Sequence, residues 1–389
     1  MESILTTLLW FFFFLFLATQ VFSIWVLLRR RNQSRLFDRT HAPLAKYPGI
    51  SVITSLKGPT PSMAESLTSL LKQQYPGQVE FVIATKDEKE PLLKEARELF
   101  EKKFPQAQVK WVTPVATDGL NPRTAKIAKA YEAASHDWVF MTCVDTRFEP
   151  NYLRRALDLN RGETNSFVTG YPIIDKPRNF GAKLEAVGLN LDVMQFFMLS
   201  SISKKRPIGY GGALLFSKQL LAQSGGWEPI LRLLTDDVTL ARAFLKSGGK
   251  ALLAPNPGYV RQENHSLESF WQRQVRWKMI AKYFLPELFF LAPLSWVPQV
   301  YFALGILLHS RAVFSLSLVC VLVRILAALL NQMFHGLPEW EWAHVWVQPF
   351  YDFSGVVSWV QAYRRKEIRW GSTIMELDEK GAVFRTKTF

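Results

Sequence analysis

The chain has 389 residues, enough for one large α/β domain together with several membrane segments. Hydrophobic residues make up 49% of it and gather at the two ends, which excludes an ordinary soluble globule. Lysine and arginine outnumber aspartate and glutamate by 47 to 33, a formal charge of +14, but the clusters Arg29–Arg31 and Arg364–Lys366 flank apolar runs. That placement suits anionic headgroups and topology control, and it argues against nucleic acid as a partner. The two cysteines, Cys143 and Cys320, draw neither a disulfide framework nor a zinc site.

Ile4 to Leu28 carries no charge and is long enough to cross a bilayer core of roughly 30 Å. Its positive charges follow the run rather than precede it, so residues 1–31 read as an anchor, not a cleaved signal. The arginines are expected to hold its C-terminal end in the cytoplasm. From about residue 50 to 255 the hydrophobicity falls. Strand-like runs at Ser51–Ser55, Val79–Thr85, Val109–Thr113 and Trp138–Cys143 alternate with helical spacing at Ser62–Lys72, Glu90–Lys103 and Thr124–Ala134. This alternation predicts an α/β domain over 45–283, with a mostly parallel sheet covered on both faces. Such sheets bind ligands at the C-terminal ends of their strands.

Three more apolar stretches, Leu285–Leu308, Ala312–Met333 and Ala343–Tyr363, make a membrane region over 284–363 ahead of a basic tail, 364–389. Three crossings would leave Arg364–Lys366 on the side opposite the α/β domain. Either one stretch is interfacial or re-entrant, the preferred reading, or the positive-inside tendency fails here, so two to three C-terminal membrane helices are expected.

Polar residues stand where the chemistry is expected. Asp87 follows the second strand, and Asp145 follows the fourth in Cys143-Val144-Asp145. Thr235-Asp236-Asp237 and Arg273-Gln274-Val275-Arg276-Trp277 come later. Carboxylates in this number can hold a ribose, carry a hard divalent cation and take the proton of an attacking hydroxyl, and arginine forks can meet phosphates. Each group also has a plainer reading. Asp87 is then a turn or cap, Thr235 an N-cap with acids in its first turn, and Arg273 with Arg276 an interfacial stripe. His265 is a loop residue or an acceptor neighbour. Gly209-Tyr210-Gly211-Gly212 is a close approach to a ligand or a tight turn, and Trp277 is a stacking platform or an interfacial anchor.

Three carboxylate positions followed by Arg-x-x-Arg-Trp ahead of membrane helices resemble lipid-directed family 2 glycosyltransferases of the GT-A fold. More narrowly, the chain resembles the ceramide glucosyltransferase-like family 21, with its bacterial lipid and hopanoid-associated relatives. Pro48-Gly49-Ile50-Ser51-Val52, Leu56-Lys57-Gly58, Tyr75-Pro76, Gly119-Leu120-Asn121-Pro122-Arg123, Gly170-Tyr171-Pro172 and Gly225-Gly226-Trp227 carry the same resemblance. It implies a Rossmann-like GT-A domain that moves a hexose or N-acetylhexosamine, with inversion, from a UDP-sugar to a membrane lipid, ceramide-like or another lipid hydroxyl, with Mg²⁺ or Mn²⁺.

The resemblance also implies roles. Asp87 would bind the nucleoside, Asp145 the metal as the second carboxylate of a DxD-type element, and Asp237 would be the general base with Asp236 toward the acceptor. Arg123 stands where the ceramide enzymes carry lysine and would meet a donor phosphate or hold its loop. Arg273 and Arg276 would contact the diphosphate and Trp277 the acceptor. Two positions depart from the family. Cys143 replaces the first metal carboxylate and is expected to be a packed strand residue, since free cysteine behaves as a small hydrophobe. Thr169 replaces a histidine of the ceramide enzymes, which points to a lipid other than ceramide.

The expected setting is an integral, multi-pass protein with a cytoplasmic catalytic domain, in a bacterial inner membrane or in the Golgi or ER of a eukaryote. A processive polysaccharide synthase is the nearest alternative but needs a transmembrane channel. A silent membrane scaffold on the same fold is the other alternative, and it has no physical need to keep Asp145, Asp237 and both arginines.

Overall fold

The apolar runs of the first half form strands within a residue or two of the expected bounds: β1 (Ile50–Ser55), β2 (Val79–Ala84), β3 (Gln108–Val112) and β4 (Trp138–Thr142) in the computed structural model. After them come β5 (Thr146–Arg147), β6 (Ser166–Thr169), β7 (Pro172–Asp175), β8 (Ala213–Ser217), β9 (Lys250–Leu253) and β10 (Gly258–Arg261). The structure describes residues 2–56, 58, 60–194, 196–198, 208–262, 264–335, 343–370 and 373–388. Lys57 of the Leu56-Lys57-Gly58 segment and Glu263, next to Asn264-His265, lie outside the described residues.

The chain divides into two compact units. One comprises Gln33–Ile174, Phe196–Gln262 and Glu367–Phe389, and the other Met1–Asn32, Asp175–Gln195 and Glu263–Lys366. In the first, a sheet runs in the order β3-β2-β1-β4-β8-β6-β9. β1, β2, β3 and β4 are mutually parallel, as are β6 and β9, while β8 runs antiparallel to both β4 and β6. Successive residues of a strand face opposite sides, so Val52, Phe81, Ile83 and Phe140 enter one core layer and Ile53, Val82, Val139 and Met141 the other. Burying both faces is what calls for continuous apolar strands. The connection reverses at β1, with β2 and β3 to one side and β4 to the other. In open α/β sheets such a reversal marks the ligand crevice at the strands' C-terminal ends.

The stretch expected as a basic tail is folded: β11 (Glu367–Trp370), β12 (Thr373–Leu377) and β13 (Val383–Thr388) make an antiparallel sheet. Leu234 N–H donates to Gly381 O at 3.2 Å, Val383 N–H donates to Arg232 O at 2.6 Å, and Leu233 bridges Ala382. Those three residues lie just before Thr235-Asp236-Asp237.

The second unit is helical. Glu2–Thr40 is one helix, and its stretch from Ile4, together with Arg311–Met333, is long and apolar enough to cross a membrane. The Leu285–Leu308 stretch is broken by its prolines into Pro286–Leu291, a 3₁₀ segment Ala292–Trp296 and Val297–Leu307. The 17-residue helix Gln348–Arg364 falls short of the about 20 residues that a crossing needs. Val297–Leu307 and Arg311–His335 form a tight pair in which a Cβ at Gly305 would lie 3.0 Å from Phe314 Cα. Both pack on the N-terminal helix through Phe13, Phe16, Val297, Tyr301 and Val313.

Inside this unit Arg324 meets Asp192 at 2.7 Å and Asp352 at 2.9 Å. A charge in a spanning segment faces the bundle interior and a partner, as this one does.

Candidate active site

The strand ends place the first carboxylates. Asp87 lies just past β2 on an exposed turn, where its Oδ1 accepts from Lys89 N–H at 2.9 Å, the Asx turn of its plainer reading. Among the described residues it shares no hydrogen bond or ion pair with the other candidates. Asp145, half-buried beyond β4, accepts from the Thr146 hydroxyl at 3.2 Å. β8 begins beside the end of β4, with Ala213 paired to Thr142, so the glycine loop before β8 lies at the same edge as Cys143.

At that edge the structure brings Arg123, Cys143, Gly211, Asp236 and Asp237 together. Asn121 caps the helix Pro122–Ala133, accepting from Arg123 N–H at 3.0 Å. Its amide donates to Leu233 O and Leu234 O, both at 2.9 Å, which ties Arg123 to the segment that leads into Asp236. The Arg123 guanidinium then ion-pairs with Asp236 and donates to Gly211 O at 2.8 Å and to Cys143 Sγ at 3.3 Å. Burial opposes its charge, but Asp236 leads the anions that hold its pKa above the ordinary value. Asp236, expected to face the acceptor, is 4% exposed and committed to this pair. Burial first, and then the Asp237 charge, push its carboxyl upward against the pull of Arg123.

Asp237 is differently held. Its Oδ1 accepts from the Thr235 hydroxyl and, at 2.8 Å, from Val238 N–H, while Oδ2 accepts from Gly211 N–H at 2.7 Å. Thr235 therefore donates to Asp237 instead of capping the helix Asp236–Lys246 with its oxygen. A carboxylate offers about four acceptor sites, so one on Oδ2 remains after these three bonds.

The glycine loop exists for this approach. A side chain at Gly209 would collide with the Asp237 carbonyl, and a Cβ at Gly211 would lie 2.9 Å from both Arg123 Nη2 and Asp237 Oδ2. Thr169 holds the loop from behind, accepting from Tyr210 N–H at 3.0 Å.

Cys143 departs from the packed strand residue expected of it. It is half-buried just past β4, its thiol donates to Gly211 O at 3.5 Å, and burial pushes it up to about 12. No group of three or more His, Cys, Asp or Glu side chains suited to a metal ion occurs among the described residues. Mg²⁺-type ions, however, are held by one or two carboxylates with substrate phosphates supplying further oxygens. Asp145 fits that arrangement, and the thiol, a poor ligand for hard cations, does not.

Arg273, Arg276 and Trp277 lie on the helix Leu267–Phe284 of the helical unit. Arg273 ion-pairs with Glu185 at 2.8 Å, and His265 Nε2 lies 3.5 Å from the same carboxylate. Burial first, then Arg273, lowers the pKa of the Arg276 guanidinium, with Glu185 opposing. His265 is pulled downward by burial, against Glu185. Trp277 is half-buried. The helix is fixed along Gln348–Arg364 by Trp271 Nε1 donating to Gln361 at 2.7 Å and by Lys282 donating to Tyr363 O at 2.8 Å. Asn121 and Glu185 were not singled out as site residues from sequence, although the Asn-Pro-Arg segment pointed to the first.

The sequence profile of Glycosyl transferase family 21 matches residues 8–383. Ceramide glucosyltransferase 1 of Caenorhabditis elegans is 24% identical over 249 residues, 64% of this chain and 53% of that protein. The matched part thus spans about half the length of that relative. Among solved structures, the mannosyltransferase PcManGT from Pyrobaculum calidifontis, in complex with GDP-Man and Mn²⁺, is similar at a TM-score of 0.51 and 17% identity. That match covers 90% of this chain and 99% of the other. This likeness supports the GT-A-type fold.

Proposed function

The chain belongs to glycosyl transferase family 21, and from that premise we propose that it moves a hexose or N-acetylhexosamine from a UDP-sugar to the hydroxyl of a membrane lipid, with inversion. The observation that carries this reading is the bonding of Asp237, with one acceptor site of Oδ2 left over beside the Gly211 backbone and a neighbouring carboxylate neutralised by Arg123.

The acceptor hydroxyl oxygen attacks the anomeric carbon, its proton passes to Asp237, and the bond from that carbon to the diphosphate oxygen breaks, releasing UDP. Gly211 N–H, Thr235 and Val238 N–H fix the carboxylate for that transfer, since a positioned base is worth far more than a mobile one. Asp145 would hold a divalent cation, Mg²⁺ or Mn²⁺, which when bound neutralises charge on the leaving diphosphate. Asp87 is assigned to the nucleoside, Arg273 and Arg276 to the diphosphate, and Trp277 to the acceptor, all by their motif positions. Asp236 and Arg123 serve one another: the aspartate is counter-ion to the arginine that clamps the glycine loop.

A membrane lipid as acceptor is supported by the two helices of spanning length and by the ceramide glucosyltransferase relative. A cytoplasmic catalytic unit follows from Arg29–Arg31 at the end of the first apolar run. The test is a donor panel of UDP-glucose, UDP-galactose, UDP-N-acetylglucosamine and GDP-mannose, offered to the full chain with total membrane lipid. Mass spectrometry would identify the product. A glycosylated lipid from a UDP-sugar is expected; a product from GDP-mannose alone would overturn the donor assignment, and no lipid product from any donor would overturn the acceptor.

A further inference from the structure

Glu185 is fully buried and belongs to no motif, yet its carboxylate lies against the arginine assigned to the diphosphate. The helix that carries it, Phe180–Val187, is locked to the helix Leu267–Phe284 at its beginning. Asn179 Oδ1 accepts from Ala182 N–H at 2.9 Å and from His265 N–H at 3.0 Å, so one side-chain amide caps the first helix and fixes the approach to the second. Gly181 sits so close to the His265 carbonyl that any side chain would collide with it. Farther along, Leu184 and Val187 pack with Phe270, Val347 and Tyr351.

Between those two fixed points Glu185 reaches Arg273 Nη1 at 2.8 Å and His265 Nε2 at 3.5 Å. Neither carboxylate oxygen has an aligned hydrogen-bond donor among the described residues, so the attraction to Arg273 is one of charge. A buried carboxylate is tolerated only with such a partner, and the partner is then confined in turn. Arg273, with 24% of its side chain exposed, would otherwise sample many rotamers. Arg276 is three residues along the same helix, where two like charges repel, and Glu185 offsets that repulsion.

We propose that Glu185 is a positioning residue, holding Arg273 in the orientation in which its fork meets the donor diphosphate; the proposal rests on the assignment of Arg273 to that diphosphate.

The test compares Glu185→Gln, Arg273→Gln and the double variant in the full chain, purified in detergent, with turnover and donor KM measured separately and melting temperature as a fold control. Glutamine at 185 keeps the shape but leaves Arg273 without its counter-charge. A displacement near 1 Å can cost about a hundredfold, so kcat is expected to fall about ten- to a hundredfold with donor KM changed less. In the double variant no arginine remains to be held, and kcat should equal that of Arg273→Gln alone. Losses that multiply would overturn the proposal, since Glu185 would then act on something else. Wild-type turnover in Glu185→Gln with a slow Arg273→Gln would overturn it too, leaving the diphosphate assignment standing. Wild-type turnover in Arg273→Gln would overturn that assignment and the proposal with it. If Glu185→Gln alone does not accumulate, Glu185→Asp takes its place, keeping the charge but drawing it back from Arg273 by one methylene: slowed turnover at unchanged melting temperature supports the proposal, and wild-type turnover overturns it.

Discussion

Arg123 and Asp236, 113 residues apart, form an ion pair in which 15% and 6% of the side chains are exposed. The adjacent Asp237 is left outside this pair, bonded to the Gly211 backbone. Two neighbouring carboxylates are thereby held differently: one neutralises a buried guanidinium, and the other keeps an acceptor site on Oδ2, which suits the base role proposed for it.

The pair makes a stability prediction. Breaking a buried ion pair by removing one partner costs about 3–5 kcal/mol, because the other charge is stranded. Asp236→Asn and Arg123→Ala are each expected to lower the melting temperature clearly. The double variant should lose less than the sum of the two. Additive losses in thermal melts would mean that the pair does not act as a unit.

Asp237→Asn should leave donor binding within a few-fold and abolish most turnover. Asparagine can still accept from Gly211 N–H, so the loop stays in place, but it cannot take a proton. Loss of a general base costs about 10²–10⁴-fold. Titration of UDP-sugar binding alongside single-turnover rates checks both halves. A loss under tenfold would remove Asp237 from the role.

The C-terminal sheet predicts a dependence that a loose tail would not. Arg232, Leu233 and Leu234 are bonded to Val383, Ala382 and Gly381, respectively, and Leu234 is two residues from the acidic pair. A chain ending at Lys366 should turn over at least about tenfold more slowly, by misplacing Asp237, while still reaching the membrane. Val383→Pro, which removes the N–H bonded to Arg232, should move in the same direction. Full activity in both would show that the sheet braces nothing.

Much of this was legible in the residues, unevenly. The α/β core was, because continuous apolar runs of strand length between helical spacings have few other uses, and β1 to β4 came within two residues of expectation. The C-terminal sheet was hidden by its own outer face. Ile368, Met375, Leu377 and Val383 are buried, but Arg369, Lys380, Arg385 and Lys387 set the composition and suggest a tail. Glu185 was hidden for another reason: its meaning depends on His265 and Arg273, some 80 residues away, and a single acid in a short apolar helix announces nothing. Asp236 and Cys143 were read with their neighbours in sequence, whereas the structure makes both of them partners of Arg123.

That partnership separates the two positions of the departed metal element. Cys143 gives Gly211 O a donor at 3.5 Å and gives Arg123 an acceptor at 3.3 Å, both of which a serine hydroxyl can reproduce. Asp145 has one oxygen bonded to Thr146 and is the carboxylate that suits a hard cation at this strand end. Turnover is expected to disappear with EDTA and return with Mn²⁺ or Mg²⁺. Cys143→Ser should keep turnover within a few-fold and leave the metal concentration for half-maximal rate unchanged. Asp145→Ala should raise that concentration at least about tenfold, because a site with a single protein carboxylate has nothing to replace it. Mn²⁺ binding in the presence of UDP, followed by electron paramagnetic resonance, gives the same comparison without turnover: binding kept in Cys143→Ser and lost in Asp145→Ala. Equal damage in the two variants would make the sulfur a ligand and place the cation against Cys143 as well, which the bonds of Cys143 to Arg123 and Gly211 argue against.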